Sequence, residues 1–269
     1  MPYTKISPNF GGIGILKIVT YNIHRAVGTD GRKDPDRILE VLRSLDADLI
    51  ALQEVEIPRA GSDLLRQLSN LPGKEALFGP TICHENGDYG NVLLCRHEPD
   101  SVDRIEISQD RREPRGAIAA DFIINSNRVR IIATHLGLGM RERQRQTTSL
   151  LSWLSAREED LPSDLRIFLG DLNEWRPWGR PLRWLRHEFG STIQNRTFPS
   201  RFPLLPLDQI FVAPNHTLVE CSAIKNELTR KASDHLPLKA SLQLSAPRRV
   251  AQATGLHWSG PDMESSATT

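Results

Sequence analysis

The strongest constraint on this chain is a pattern that occurs twice. An apolar, β-rich run stops at polar residues, a helical stretch follows, and a second apolar run again stops at polar residues. In the first copy, residues 16–21 (LKIVTY) lead into Asn22-Ile23-His24. Asp34-Pro35 then offers an N-cap with proline in the first helical position. Ile38, Leu39, Val41, Leu42 and Leu45 follow at helical spacing, and residues 48–52 (DLIAL) end at Gln53-Glu54. In the second copy, residues 128–134 run into Thr134-His135-Leu136-Gly137. A helix over residues 141–156 is expected to bury Leu150, Leu151 and Leu154 and to expose Arg141, Arg143 and Arg145. The strand 165–169 then stops at Gly170-Asp171-Leu172-Asn173. The two copies share no residue-level repeat. Each calls for a helix layered on one sheet face, so the pair predicts an α/β/β/α sandwich with its polar strand ends gathered at one end.

The remaining segments fit that plan. A helix is expected over 63–68 and short strands over 76–82 and 91–96, with a glycine-rich hairpin connection at 85–90. A strand near 102–107 leads to Arg111-Arg112-Glu113-Pro114-Arg115-Gly116. Strands 117–124 and 128–134 are joined at Asn125-Ser126-Asn127. After Trp175 a tryptophan- and arginine-rich segment reads as a loop and a short helix ending near Phe189, and the prolines of 197–203 keep the next stretch extended. Strands over 207–212, 220–224 and 236–242 complete the chain, with Ser233-Asp234-His235-Leu236-Pro237 between the last two.

A net charge of +1 over 269 residues gives no global basic field of the kind that by itself demands nucleic acid. The three cysteines (Cys83, Cys95, Cys221) are odd in number and widely spaced, which favours free thiols in a reducing compartment over a disulfide framework. Cys83-His84 lacks a second Cys/His pair at ligand spacing, so zinc is not expected. The apolar stretch 13–19 contains Lys17 and runs straight into a polar strand end, which marks a strand and not a secretory segment. A cytoplasmic location is the expectation. Residues 1–245 read as one domain, and 246–269, rich in Ala, Pro, Ser and Thr without periodicity, as a mobile tail.

A strand end bearing Asp-x-Asn has chemical uses beyond closing a turn: Asp accepts protons or touches a metal, and Asn offers an acceptor and two donors without charge. Six such pieces occur in order: Thr20-Tyr21-Asn22, Leu52-Gln53-Glu54-Val55, Thr134-His135-Leu136, Gly170-Asp171-Leu172-Asn173, Leu207-Asp208-Gln209-Ile210 and Ser233-Asp234-His235-Leu236-Pro237. Together they resemble the endonuclease/exonuclease/phosphatase superfamily, over about residues 16–243. The resemblance implies a deoxyribonuclease I-like four-layer α/β/β/α sandwich with two mixed, mostly antiparallel sheets. It also implies Mg²⁺ or Mn²⁺ as cofactor, with Glu54 as main ligand and Asn22 and Asp234 completing or supporting the site. A sparse site of oxygen ligands suits Mg²⁺. Asp171 would align or deprotonate the attacking water, and Asn173 would stabilise the phosphorane-like transition state. His235, paired with Asp208, would donate to a non-bridging phosphate oxygen. His135 would protonate the leaving oxygen. Tyr89 and Asn91 fall where the family places further phosphate-contacting side chains; Arg115 could reach a phosphate or stand solvated at the surface.

Loops decide the substrate on such a fold. Trp175, Trp178 and Trp184 beside Arg176, Arg180, Arg183 and Arg186 suit a lipid headgroup interface. The expected partner is thus a phospholipid headgroup or small phosphodiester, with peripheral membrane contact. The same arginines, with Arg111, Arg112, Arg141, Arg143 and Arg145, could instead track the backbone of DNA or RNA, which would make the protein a nuclease. A non-catalytic binding module would need a broken site, and every principal position is filled. Nothing calls for a stable protein partner.

Overall fold

In the computed structural model, which describes residues 14–58, 67–68, 70–71, 73–85 and 87–244, both strand–helix–strand units form. β1 (Gly14–Asn22) pairs in parallel with β2 (Leu49–Pro58) through α1 (Pro35–Ser44). Asp34 caps α1 by accepting from the Arg37 N–H at 3.0 Å, with Pro35 in the first turn. Further along, β7 (Asn127–His135) pairs in parallel with β8 (Leu165–Asp171) through α2 (Met140–Asp160). Parallel neighbours need such crossovers, and the other pairings of both sheets are antiparallel.

The remaining strands are β3 (Glu75–His84), β4 (Gly87–Cys95), β5 (Ser101–Glu106), β6 (Gly116–Ile124), β9 (Asp208–Ala213), β10 (Leu218–Ala223) and β11 (Leu238–Leu244). One sheet has six strands in the order β10-β11-β1-β2-β4-β3, the other five in the order β5-β6-β7-β8-β9. Their inner faces share one core: Leu16 and Ile18 of β1 meet a layer that includes Ile131 and Ala133 of β7 and Ile167 and Leu169 of β8. The alternate residues face helices. Val19, Tyr21, Ile50 and Leu52 pack with Ile38, Leu39 and Leu42 of α1. Ile132 and Phe168 pack with Leu150 and Leu154 of α2, and with Leu182 and Leu185 of α3 (Arg180–Phe189). Burial on both faces explains why these strands read as continuous apolar runs instead of alternating ones. The result is the expected four-layer sandwich.

Several expectations change in detail. β2 does not stop at Glu54; it passes through a bulge between Leu52 and Val55 and continues, so Glu54 sits inside a strand. α2 runs to Asp160, and Arg143 is buried, not exposed: its guanidinium donates to the Leu138 carbonyl at 2.6 Å and pairs with buried Glu174 at 3.3 Å. Leu151 is only half-buried. A short helix, α4 (Glu227–Ala232), was not expected from the sequence; Asn226 caps it by accepting from the Thr229 N–H. The turn joining β6 to β7 is tighter than expected, with Asn125 and Ser126 both at positive φ, the two-residue geometry that suits a twisted hairpin. The three cysteines are free thiols. No helix among the described residues is long and apolar enough to cross a membrane. Residues 63–66 of the expected helix and the tail 246–269 lie outside the described residues.

Candidate active site

Strand register gathers the polar ends. His135, Asp171 and Asp208 occupy matched positions on adjacent strands, His135 opposite Asp171 and Asp171 opposite Asp208. On the other sheet Asn22 is opposite Gln53, which puts Glu54 next to it. β7 and β8 approach closely enough at Thr134–Gly170 to exclude any side chain. Gly170 has φ +148°, and a Cβ there would stand 1.8 Å from the Thr134 carbonyl oxygen. Glu54 (φ 58°) and Asn173 (φ 50°) both hold left-handed backbone that is unusual for side-chain-bearing residues. Such strain at two site positions turns their side chains out of the strand alternation.

Asp171 is the hub. Its Oδ2 accepts from Asn22 Nδ2 at 3.0 Å and lies 3.5 Å from His135 Nε2 and 3.7 Å from His235 Nε2. Its Oδ1 accepts from the Asn173 N–H at 2.9 Å, which fixes the carboxylate plane. Asn22 Nδ2 also donates to Glu54 Oε1 at 3.0 Å, so one amide bridges carboxylates from the two sheets. The Asn22 oxygen accepts from the His24 N–H at 3.0 Å, which holds the amide nitrogen toward Glu54 and Asp171.

The two buried imidazoles differ in charge. His235 Nδ1 contacts Asp208 Oδ2 at 2.7 Å. Burial opposes its charge, but the Asp208 and Asp171 carboxylates outweigh burial and push it up to about 10. It is a fixed cation at neutral pH. His135 is held down to about 3, first by burial, which the Asp171 charge only partly offsets, and further by Arg115 and His235. Asn173 Nδ2 donates both to the Leu136 carbonyl at 2.9 Å and toward His135 Nε2 at 3.0 Å. The carbonyl fixes the amide's orientation, so Nε2 is the acceptor and the imidazole proton resides on Nδ1. In this state His135 cannot deliver a proton from Nε2. The leaving-group role implied by the resemblance would require it to take up a proton there and release Asn173.

Arg115 is buried and forked onto Glu113 at 2.8 and 3.3 Å, and its Nε has no partner among the described residues. Asn91 is also buried and donates to the Gly116 carbonyl at 3.0 Å, tying the sheets together beside the site. Burial and the Glu54 charge hold the Tyr89 phenol protonated, and the Arg25 guanidinium lies 5.1 Å from its ring centre. Asp234 faces solvent, 3.7 Å from His24 Nδ1. Two contributors had no role assigned from sequence. Ser233 Oγ donates to the Asn22 carbonyl at 2.8 Å and accepts from the His235 N–H at 3.2 Å, joining the two segments. The Phe198 ring packs on His235 with centroids 4.9 Å apart. Ser233 stood beside Asp234-His235 in the motif; nothing in the sequence marked Phe198.

Four carboxylates (Glu54, Asp171, Asp208 and Asp234) face one cationic imidazole at this end of the sandwich, an excess of negative charge that a divalent cation would offset. One oxygen of Asp208 is buried without a partner. Ligand atoms of Asp171, Asp208 and His235 lie within 4.8 Å of one another, with His235 Nδ1 engaged by Asp208 at 2.7 Å. The donor set fits a hard cation best on the Glu54 side, where one carboxylate oxygen accepts no hydrogen bond among the described residues.

The chain belongs to the Endonuclease/Exonuclease/phosphatase family, whose model matches residues 19–235. Members of this family are phosphoester hydrolases and generally use a divalent metal. The chain is 27% identical over 249 residues to the uncharacterized protein YbhP of Escherichia coli K12, covering 85% of this chain and 96% of that one. Among solved structures, an endonuclease/exonuclease/phosphatase from Beutenbergia cavernae matches with TM-score 0.69 at 23% identity, covering 86% of this chain and 72% of the other. A mannosyl-6-phosphatase from Bacteroides thetaiotaomicron matches with TM-score 0.66 at 18% identity, over 84% of this chain and 98% of that one. A truncated Caenorhabditis elegans TDP2 matches with TM-score 0.65 at 18% identity, over 86% and 98%.

Proposed function

We propose that this protein is a divalent-metal-dependent phosphodiesterase that hydrolyses a phospholipid or another small phosphodiester by in-line attack of water. The observation that carries this reading is the placement of Asp171 beside a fixed cation: a hydrogen-bonded carboxylate 3.7 Å from His235, which Asp208 keeps charged. Asp171 is positioned to take a proton from water. His235, presenting Nε2 with its proton, stabilises negative charge as it builds on a non-bridging phosphate oxygen, worth on the order of 10²–10³ in rate. Asn22 and Asn173 keep the base oriented, and buried Arg115 offers an unpaired Nε–H beside the site. Glu54, which Asn22 Nδ2 orients by its hydrogen bond, would hold Mg²⁺ or Mn²⁺, and the ion would supply charge neutralisation at the phosphate.

Hydrolysis of bis-p-nitrophenyl phosphate with Mg²⁺ or Mn²⁺, abolished by EDTA, is the expected result. Asp171→Asn is expected to lower turnover on the order of 10²–10⁴-fold with the fold intact by circular dichroism, and Glu54→Ala to remove metal-stimulated activity. Near-normal turnover in either variant defeats the assignment. The exposed arginines Arg111, Arg112, Arg141 and Arg145 support a second reading, a nuclease. Headgroup release from liposomes without plasmid nicking excludes it, and DNA cleavage lost in Glu54→Ala would displace the lipid reading.

A further inference from the structure

Large apolar side chains are rarely left in water without a use when they cluster. Ten are well exposed among the described residues, and six of them lie on the loops around the site or at the start of α2: Leu138 (69%), Met140 (50%), Trp175 (58%), Trp178 (71%), Phe202 (77%) and Leu204 (63%). Topology puts all six at one end of the sandwich. Leu138 and Met140 follow β7 just past His135, and Trp175 and Trp178 follow β8 just past Asn173. Phe202 and Leu204 sit in the loop whose Thr197 and Ser200 backbones bond to Leu236 and Asp234 around His235. Ile15 and Ile123 lie at the other end, where Gly14 meets Asn125.

Charge accompanies the apolar rim on one side. Met140 and Trp178 share a depression of about 380 Å³ with Arg141, Arg176, Arg180 and Arg183. These four arginines are exposed and make no ion pair with a described residue, while the depression's only acid, Glu174, is buried against Arg143. Tryptophan and aliphatic side chains ringed by unpaired arginines match the interfacial layer of an anionic bilayer, with indoles at headgroup depth and guanidinium groups on phosphates. Leu138 and Met140 argue against nucleic acid as the occupant: nucleotide bases stack on aromatic rings and arginine planes, and aliphatic tips gain nothing from a phosphate backbone.

We propose that the site-bearing end of the sandwich is a membrane-docking face, and that the substrate phosphodiester is presented to Asp171 and His235 from an anionic lipid surface. The choice of substrate rests on the phosphodiesterase reading above, whereas the docking itself does not. Among the described residues no hydrogen bond, ion pair or ring contact links a rim side chain to Asp171, His235 or Glu54, so docking and chemistry separate experimentally.

The test is co-sedimentation of the full chain with vesicles of phosphatidylcholine alone and with ~30% phosphatidylglycerol added, alongside fluorescence anisotropy with a labelled DNA oligonucleotide. Wild type should bind the anionic vesicles and show blue-shifted tryptophan emission. Trp175→Ser/Trp178→Ser and Leu138→Ser/Met140→Ser should each lose binding by ~10-fold or more while hydrolysing soluble bis-p-nitrophenyl phosphate at the wild-type rate. Replacing the four arginines by serine should weaken binding to anionic vesicles only. Wild type that ignores anionic vesicles overturns the proposal. So does vesicle binding that survives loss of all four apolar residues, or DNA binding that depends on Trp175 and Trp178 without vesicle binding. Glu54→Ala should still bind vesicles; if it does so and wild type lacks all hydrolytic activity, the phosphodiesterase reading has failed and the docking face stands.

Discussion

At the residue scale, the site depends on two histidines kept in opposite charge states by neighbours a few ångströms away. Asp208 is the discriminating partner, since His235 alone contacts it. Asp208→Asn should therefore bring the His235 pKa down from about 10, visible as a shifted imidazole titration by NMR, and slow turnover on the order of 10²–10³-fold. The same histidines set the pH dependence of folding. His235 holds its proton in the fold up to about 10, whereas an unfolded histidine releases it near ~6.5, so its stabilisation is complete below ~6.5 and is lost as pH rises through about 10. His135 works in reverse: the fold keeps it neutral down to about 3 while the unfolded chain binds a proton from ~6.5, so stability falls as pH drops through that window. The melting temperature of EDTA-treated protein should accordingly peak near pH ~6.5, with His235→Gln flattening the alkaline side and His135→Gln the acid side. The sequence exposed the identities of these groups, and the expected Asp208–His235 pair already implied a cation; the neutral state of His135 was not legible. Whether a histidine is an acceptor or a cation is decided by partners 27 and 38 residues away in the chain.

At the element scale, the strand–helix–strand units were legible because apolar period, cap and proline agreed, as at Asp34-Pro35 before α1. The departures have a common cause in contacts that local pattern does not carry. Glu54 looked like the end of a strand because the apolar run stops at Gln53-Glu54, yet β2 continues to pair with β4 beyond the bulge. Arg143 looked like a member of an exposed arginine row, but Glu174, two loops away, draws it inside. Gly170 is the opposite case: a glycine between strand and motif whose conformation is compulsory. Gly170→Ala meets both the Thr134 carbonyl and a φ of +148°, and should cost about 2–6 kcal/mol in urea unfolding. Equal stability of this variant would show that β7 and β8 can part without penalty.

At the scale of the whole molecule, the site is a seam. Asn22, Glu54 and His235 come from the six-stranded sheet's end, and His135, Asp171 and Asp208 from the five-stranded sheet's end. A divalent ion bound there would neutralise acids of both. Mg²⁺ at ~100 times its dissociation constant should stabilise the fold by about 2.7 kcal/mol, raising the melting temperature by a few degrees, an effect absent in Glu54→Ala. The sandwich, with its polar strand ends gathered at one end of the paired sheets, was readable because its two halves repeat a unit; the distances across the seam were not, since no local pattern records how two sheets are aligned. That alignment is set by the layer of Ile18, Ile131, Ile167 and their neighbours between them. The oily filling is thus a spacer gauge for the proposed chemistry: hollowing it out by one methyl group far from the site should let the gap between Asn22 and Asp171 drift and blunt hydrolysis with every site residue still in place.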